Sequence, residues 1–250
     1  MVHRARASHV GGALSLADVI AVLYGDILHI DPTRPDWPER DRLLLSKGHC
    51  CTALYAALAL RGFFPREELQ TYGANGSRLM AHISHTVPGV EFSTGSLGHG
   101  LPFGVGKALA AKRRNEKWRT FVLLSDGELD EGSNWEAFLF APHHRLDHLV
   151  AIVDYNRIQS LGTVNEVLAL EPLADKFRAF GWHVTEVDGH DHEALRTVLS
   201  PVAASPGKPT LVLARTIKGK GIDYMENELL WHYRNPNDDQ LADALRQLEP

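Results

Sequence analysis

The sequence predicts an α/β fold with a mostly parallel sheet and helices on both of its faces. Short apolar runs of strand length alternate along the 250 residues with longer segments of helical periodicity, which is the pattern of β-α-β units. The runs are almost entirely apolar, as expected for strands that helices cover on both faces. The five predicted strands are Leu43–Ser46, Thr120–Leu124, His148–Val153, Trp182–Val187 and Thr210–Arg215.

Helical patterns precede, connect and follow these strands, and glycine or proline clusters mark the loops. The seven predicted helices are Ser15–Ile27, Cys51–Leu60, Gly100–Lys112, Trp135–His143, Pro172–Phe180, His192–Leu199 and Asp238–Leu248. Asp31–Arg40 contains three prolines and is predicted to be a loop. The glycine and serine clusters at Gly73–Ser77 and Gly89–Gly100 are interpreted as functional loops, because binding residues are often carried on loops of a rigid scaffold.

Length, charge and cysteine usage narrow the class of protein. A chain of this length can form one domain, and we expect a single domain over residues 1–250. The net charge of −5 argues against nucleic acid as a partner. No apolar stretch approaches the roughly 20 residues of a membrane span, and the N-terminus lacks a secretory signal. Cys50 and Cys51 are adjacent, so they predict buried packing in a reducing cytoplasm.

Polar side chains follow two neighbouring predicted strands at the point where each strand ends. Asp126 and Gly127 come directly after one strand, and Asn156 follows the next strand about thirty residues later. The carboxyl ends of parallel strands meet at one edge of the sheet, where ligands of α/β folds bind. Carboxylate and amide oxygens suit a hard divalent cation such as magnesium. The alternative is that Asp126 and Asn156 only cap the helices that follow.

Four of the fourteen histidines lie in glycine-flanked loops: His9, His49, His82 and His232. A loop histidine near a bound phosphate can donate a hydrogen bond or move a proton near neutral pH. The alternative for each of them is a surface or capping histidine.

These segments, taken together and in this order, resemble transketolase, and especially the N-terminal subunit of a split transketolase. The spacing from Asp126 to Asn156 resembles the thiamine diphosphate signature, with Ser125 where the family has glycine. The resemblance covers nearly the whole chain. Its other motifs are Ser8–Gly12, Asp41–His49, Gly89–Gly98, Asp130–Gly132 and Lys218–Gly221 with His232.

The resemblance implies a thiamine diphosphate-binding fold and a role for each matching residue. The implied metal ligands, for Mg²⁺ or for Ca²⁺ or Mn²⁺ in its place, are the side chains of Asp126 and Asn156 and the backbone carbonyl of Ile158. The implied cofactor-binding residues are His49, Gly95, Ser96, Leu97, Gly127, Glu128, Asn156 and His232. The implied catalytic residues are His9, His82, His232 and Glu131.

Two of these assignments have competing interpretations. The family has Gly-His-Pro where this chain has Ala81-His82-Ile83, so His85 competes with His82 as the substrate histidine. Glu131 matches a family position at the subunit interface, where it would bond the activating glutamate of the second domain. From the residues alone, Glu131 could instead be a carboxylate at a helix N-terminus.

The function implied by the resemblance is transfer of a two-carbon ketol unit from a ketose to an aldehyde, with sugar or sugar-phosphate substrates. The pyrimidine-binding domain would lie on a separate partner chain, in an α2β2 heterotetramer. The alternatives are a deoxyxylulose-phosphate synthase-like subunit, the α subunit of a 2-oxo acid dehydrogenase, and a non-catalytic subunit that kept the fold. A nicotinamide dehydrogenase is disfavoured, because Gly98–Gly106 lacks the Gly-x-Gly-x-x-Gly spacing after a strand.

Overall fold

The strands of the computed structural model, which describes residues 1–200 and 205–249, form one parallel sheet. Their order across the sheet is β1-β2-β3-β5-β4, and every described pairing is parallel. The strands are β1 (Arg42–Leu45), β2 (Thr120–Ser125), β3 (Leu149–Tyr155), β4 (His183–Asp188) and β5 (Thr210–Arg215). The predicted parallel sheet is therefore confirmed, with shifts of one or two residues at some strand ends.

Ten helices surround the sheet in the described part of the chain. They are α1 (Val2–Ala5), α2 (Val10–Ser15), α3 (Ala17–Val22), α4 (Cys51–Leu60), α5 (Gly100–Arg113), α6 (Gly132–His143), α7 (Val164–Val167), α8 (Leu173–Ala179), α9 (His192–Leu199) and α10 (Asp238–Gln247). A π-helical turn follows α3 at Leu23–Ile27. Short 3₁₀ turns lie at Gly48–Cys50, Arg66–Thr71, Gly127–Asp130 and Leu229–His232.

The helices cover both faces of the sheet because successive strand residues point to opposite sides. In β1, Leu43 and Leu45 pack with α3, α4 and α9, whereas Leu44 packs with α5, α6 and α8. A third, small core forms around Trp231 and Met225 beside α10. The helices on both faces are thus confirmed, and the carboxyl ends of the strands stay open at one edge.

The first helical segment differs from the prediction. Instead of one helix over Ser15–Ile27, helix begins at Val10 and is interrupted at Leu16 between α2 and α3. Glycine disfavours helix in a sequence-based prediction, but Gly12 is needed here for packing. A Cβ on Gly12 would lie 2.8 Å from Cys50 Sγ. The α2 helix therefore approaches the loop after β1 very closely.

Two simpler predictions can be compared directly with the fold. Cys50 and Cys51 are buried with free thiols at the start of α4, which confirms their predicted packing role. Within the described ranges, no helix is long and apolar enough to cross a membrane. The predicted single domain also includes residues 201–204 and 250, which lie outside the described residues.

Candidate active site

A cleft of about 260 Å³ opens at the carboxyl ends of the central strands. Strands β2 and β3 are neighbours and end together, with Ser125 paired to Asp154 in the register. The next residues, Asp126 and Asn156, therefore reach the cleft side by side. The lining residues are His9, Gly12, Lys47, His49, His82, Gly95, Leu97, Ser125, Asp126, Gly127, Asn156, Ile158, Gln159, Ser160, Lys218 and His232.

The predicted metal ligands come together in this cleft. The Asp126 carboxylate accepts hydrogen bonds from the backbone N–H of Gly127 at 2.7 Å and of Arg157 at 2.6 Å. Asn156 Oδ1 accepts from the N–H of Ile158 at 3.1 Å. These bonds fix the carboxylate and the amide oxygen with lone pairs to spare, since each oxygen carries two. Together with the Ile158 carbonyl, they form an all-oxygen donor set of the kind that magnesium prefers.

The electrostatics of the site fit a bound cation. Burial and the neighbouring Asp154 carboxylate raise the pKa of Asp126 to about 6. The negative charge of ionised Asp126 is therefore not fully balanced by the positive groups around it. The Lys218 ammonium donates to the Ile158 carbonyl oxygen at 3.0 Å, so that oxygen is turned towards positive charge. No group of three or more His, Cys, Asp or Glu side chains could hold a metal within residues 1–200 and 205–249. The oxygen donors that suit a metal ion here are the Asp126 carboxylate, the Asn156 amide and the Ile158 carbonyl.

A buried ion pair lies beneath this donor set. Lys47 Nζ contacts Asp154 Oδ2, and both side chains are almost completely buried. Asp154 also accepts hydrogen bonds from the hydroxyls of Ser15 and Thr216, and Asn156 Nδ2 lies 3.3 Å from Asp154 Oδ2. Burial opposes charge on both groups, but their mutual attraction raises the pKa of Lys47 and lowers that of Asp154. Asp154 therefore joins α2, β3, β5 and the loop after β1 under the cleft.

The four predicted histidines cluster in the same cleft. The His9 ring centroid lies 5.0 Å from that of His49, 5.1 Å from that of His232 and 6.0 Å from that of His82. Burial lowers the pKa of His9 to about 4 and that of His232 to about 3. Burial, followed by the nearby Lys47 charge, also lowers the pKa of His49 well below its usual value. These three imidazoles are consequently neutral at pH 7, each with one donor and one acceptor nitrogen.

His9 is held in an unusual backbone conformation. It precedes α2 with φ of 72°, in the left-handed region that non-glycine residues rarely adopt. Its N–H donates to the carbonyl of His232 at 3.0 Å. Such strain persists where surrounding contacts enforce it, often at functional sites. This bond therefore fixes the two histidine-bearing loops relative to each other.

The structure distinguishes His82 from His85, the two candidates for the substrate histidine. His82 lines the cleft, and its ring packs beside Gly95. His85 is exposed and does not line the cleft, because its backbone N–H and its Nδ1 both bond the Ser93 hydroxyl, at 2.9 Å and 2.7 Å. The geometry favours His82 for contact with a substrate.

Three predicted site residues lie outside the cleft lining: Ser96, Glu128 and Glu131. Ser96 is exposed between Gly95 and Leu97, which do line the cleft. Glu128, predicted to contact the cofactor, is instead fully buried behind the loop that contains Gly98. Its Oε1 accepts from Gly98 N–H at 3.0 Å and from the Ser46 hydroxyl. Glu128 therefore supports the loop, because these donors draw its side chain inward.

Glu131 is exposed at the N-terminus of α6 and does not line the cleft. A Cβ on Gly98 would lie 2.8 Å from the Glu131 Cβ, so Glu131 packs against the same loop. The helix-terminus interpretation describes its backbone position, since Glu131 is the N-cap residue of α6. Its carboxylate is exposed, and its predicted contact with a partner chain stays a prediction.

Six lining residues and one supporting residue were missing from the predicted site: Gly12, Lys47, Ser125, Gln159, Ser160 and Lys218 in the lining, and Asp154 beneath it. A signal for two of them exists in the sequence. Lys47 and Asp154 are charged residues at the ends of apolar strands, and a charge buried there requires a partner. Gln159 packs over Gly127, since a Cβ on Gly127 would lie 3.1 Å from Gln159 Cγ. Lys218 belongs to a recognised motif, but its role depends on the loop geometry.

Comparison with known families decides the identity of this cleft. The sequence profile described as "Transketolase, thiamine diphosphate binding domain" matches residues 1–248. The chain belongs to the transketolase family. The predicted α/β thiamine diphosphate-binding fold is thereby confirmed, and the nicotinamide dehydrogenase alternative is excluded.

Similar sequences include proteins that are named as transketolase subunits. The chain is 44% identical over 248 residues to an apulose-4-phosphate transketolase subunit of Phocaeicola vulgatus, covering 99% of this chain and 88% of that protein. It is 46% identical over 243 residues to 6-deoxy-6-sulfo-D-fructose transketolase subunit SqwG of Clostridium sp. (strain MSTE9), covering 96% and 88%. The predicted similarity to the N-terminal subunit of a split transketolase is confirmed.

Solved transketolase structures show the same fold within longer chains. The transketolase of Campylobacter jejuni superposes with a TM-score of 0.92 and 33% identity, over 98% of this chain and 40% of that one. The transketolase of Leishmania mexicana gives 0.91 and 31%, over 97% and 38%. The chain thus spans about two fifths of the length of these solved transketolases.

Proposed function

We propose that this chain is the thiamine diphosphate-binding subunit of a two-chain transketolase that moves a two-carbon ketol unit from a ketose to an aldehyde. One observation carries the proposal. Asp126 and Asn156 follow neighbouring strands and share one cleft with neutral His9, His49 and His232. A metal-held diphosphate and proton-accepting groups are the two things that this transfer requires from the protein.

Magnesium, or calcium or manganese in its place, would be held by Asp126, Asn156 and the Ile158 carbonyl. Gly127, His49 and His232 would lie against the diphosphate and thiazolium, with Gly95 and Leu97 beside the aminopyrimidine. Thiamine diphosphate supplies an electron sink for breaking and forming the carbon–carbon bond next to a carbonyl. Glu128 acts on this site through the Gly98 loop that it supports.

The histidines hold and move protons at the substrate hydroxyl groups. Burial keeps His9 and His232 neutral near pH 7. The Nδ1 of His232 accepts from Lys218 Nζ at 3.1 Å, so its Nε2–H is left to donate, whereas neutral His9 carries one donor and one acceptor nitrogen. His82 completes this wall of the cleft. Their close packing places donors and acceptors around one small volume, which orients a polyhydroxylated substrate as well as exchanging its protons.

The partner would be a separate pyrimidine-binding chain that provides the activating glutamate for the cofactor. The two similar proteins described above are themselves named as transketolase subunits, which supports this division. Residues 1–250 would form one diphosphate-binding domain, assembled with the partner as an α2β2 heterotetramer in the cytoplasm. Exposed Glu131 and the Gly95–Leu97 loop would lie at the contact, and the substrates would be sugars or sugar phosphates.

Co-expression with a separate pyrimidine-domain transketolase subunit tests the proposal. The purified pair should elute as one complex in size-exclusion chromatography and transfer ketol units from a ketose in the presence of magnesium and thiamine diphosphate. The chain alone should be inactive. Preference for pyruvate over every ketose donor would favour the deoxyxylulose-phosphate synthase-like alternative, and full activity of the isolated chain would contradict the division into two chains.

The variant Asp126→Ala tests the metal assignment in the assembled enzyme. It should abolish the rise in melting temperature that magnesium and thiamine diphosphate give to the wild-type pair, since a ligand that binds the folded state stabilises it. The matched control is Asp223→Ala, which changes a carboxylate that does not line the cleft. Equal cofactor stabilisation of the Asp126→Ala enzyme would remove Asp126 from the metal site.

A further inference from the structure

Outside the cleft, one histidine joins three elements of the fold. His190 lies in the loop between β4 and α9, and its Nδ1 is 2.8 Å from Asp18 Oδ2 on α3. On the other side of the ring, the backbone N–H of Ile217 donates to His190 Nε2 at 2.8 Å. Ile217 follows β5. His190 therefore connects a side chain of α3 to the main chain of the loop after β5.

These two contacts determine how His190 is protonated. Since Ile217 N–H is a donor, Nε2 must be the unprotonated acceptor, and the ring proton lies on Nδ1, where it is donated to Asp18. Asp18 receives a second contact from His192 Nε2 at 2.7 Å. Hydrogen bonding from His190 leads the causes that lower the pKa of Asp18. The carboxylate thus orients the imidazole, as outer carboxylates orient the histidines of metal sites.

The residue after Ile217 is Lys218, which lines the cleft. Its Nζ lies 3.0 Å from the Ile158 carbonyl oxygen and 3.1 Å from His232 Nδ1. Lys218 is almost completely buried. The peptide group that His190 holds is therefore one residue from a charge that contacts both a metal-ligand carbonyl and a cluster histidine.

The surroundings of His190 leave this loop little freedom. A Cβ on Gly189 would collide with the Thr216 side chain, so the loop after β4 packs directly against the loop after β5. The Thr216 hydroxyl bonds Asp154 beneath the cleft. The His190 side chain is 13% exposed, whereas that of His192 is 45% exposed. His192 shares Asp18 with His190 but makes no bond to Ile217 among the described residues, so it offers a matched comparison.

We propose that His190, oriented by Asp18, is a positioning residue that sets Lys218 in the cofactor cleft through the backbone of Ile217. The inference rests on the proposed function, because its readout is the affinity for magnesium and thiamine diphosphate. His190 does not line the cleft, so it acts only through the loop. Removing its Nε2 acceptor frees the Ile217 peptide and lets the Lys218 side chain leave its place.

The test compares four variants of the enzyme assembled with its partner chain, using calorimetric titration with magnesium and thiamine diphosphate. His190→Ala should raise the cofactor Kd about tenfold, the scale typical of outer residues at metal sites, with a smaller change in kcat at saturating cofactor. His190→Gln should restore near wild-type affinity, since its amide oxygen can replace Nε2 as the acceptor. His190→Asn places a donor near Asp18 but no acceptor at Ile217, and should bind as weakly as His190→Ala. His192→Ala should bind like wild type.

The outcomes distinguish this inference from the proposed function. If wild-type enzyme does not bind magnesium and thiamine diphosphate, the proposed function fails and the inference with it. If wild type binds and His190→Ala binds equally well, the inference alone is overturned. It is also overturned if His190→Asn restores affinity and His190→Gln does not, because the contact with Asp18 would then matter and the one with Ile217 would not.

Discussion

Lys47 and Asp154 form a buried ion pair under the cleft, with side chains only 1% and 2% exposed. Lys47 follows β1 and Asp154 lies near the end of β3, so the pair bridges two strands that are not neighbours in the sheet. The two charges compensate each other in a region that water does not reach. Removing one of them leaves the other isolated, which costs much more than a surface ion pair is worth.

Lys47→Met is therefore expected to destabilise the isolated chain by about 3–5 kcal/mol, because it leaves the Asp154 carboxylate buried without its cation. The free energy of unfolding in urea measures this loss. The double variant Lys47→Met with Asp154→Asn should recover part of the stability, since no charge then remains unpaired. A loss below about 1 kcal/mol for Lys47→Met would mean that solvent reaches the pair.

Stability without metal should depend on pH through Asp126. Its folded-state pKa of about 6 lies above the ordinary value of 3.8, so folding favours the protonated acid. That contribution is fully present below about pH 4 and is lost as the pH rises through about 6. In urea unfolding with a chelator, wild type should lose about 1 kcal/mol more than Asp126→Asn between pH 5 and pH 7. Parallel pH profiles of the two proteins would show that Asp126 is ionised without penalty.

The left-handed backbone of His9 predicts a difference between two substitutions. His9→Gly should be about 1 kcal/mol more stable than His9→Ala, because glycine adopts φ of 72° without the penalty of a Cβ. Both variants lose the imidazole, and both should lose turnover in the assembled enzyme. Denaturation of the two variants side by side measures the backbone effect, and equal stability would show that the loop relaxes around alanine.

His82 and His85 should behave differently in turnover. His82→Ala is expected to lower kcat by about 10²-fold or more, the scale of one general acid–base group, because His82 lines the cleft. His85→Ala should stay near wild type, since His85 is bonded to Ser93 away from the cleft. Steady-state kinetics on the assembled enzyme gives the answer, and the reverse result would shift the substrate histidine by three residues.

The exposed apolar side chains of α6 predict where the partner binds. Leu139 is 55% exposed on α6, the helix whose N-cap residue is Glu131. Leu139→Asp should weaken association with the partner chain without lowering the melting temperature of the isolated chain, because a charge is costly at a buried interface core. Leu245→Asp on α10 is the control, since Leu245 is 57% exposed far along the sequence from α6. Equal association of both variants would place the contact elsewhere.

Much of the fold follows from local sequence patterns. The bounds of β5, α4 and α9 coincide with those predicted, since apolar runs and helical periodicity reflect burial directly. The proximity of Asp126 and Asn156 in the cleft was also predictable, because parallel strands end at a common edge. The start of the first helix was not, since Gly12 serves a contact with Cys50 that depends on tertiary packing.

The supporting residues of the site were harder to predict for a physical reason. The contact between Lys47 and Asp154 joins positions 107 residues apart, and only the strand order brings them together. Glu128 follows Gly127 in a tight 3₁₀ turn, which rotates successive side chains and directs this one inward to Gly98. Its type and motif position suggested a cofactor contact, but the direction of a side chain in a turn depends on the donors around it.

The backbone bond from His9 to His232 has a consequence for how the protein is made. His9 precedes the first strand in the sequence, whereas the carbonyl that it bonds belongs to His232, which follows the fifth. A nascent chain can pair its early strands while the wall formed by His9 and His232 is still incomplete. Contacts between distant sequence positions form late because their loop-closure cost must be met first. The wall that carries these two histidines is therefore expected to close only after the strands of the sheet have paired.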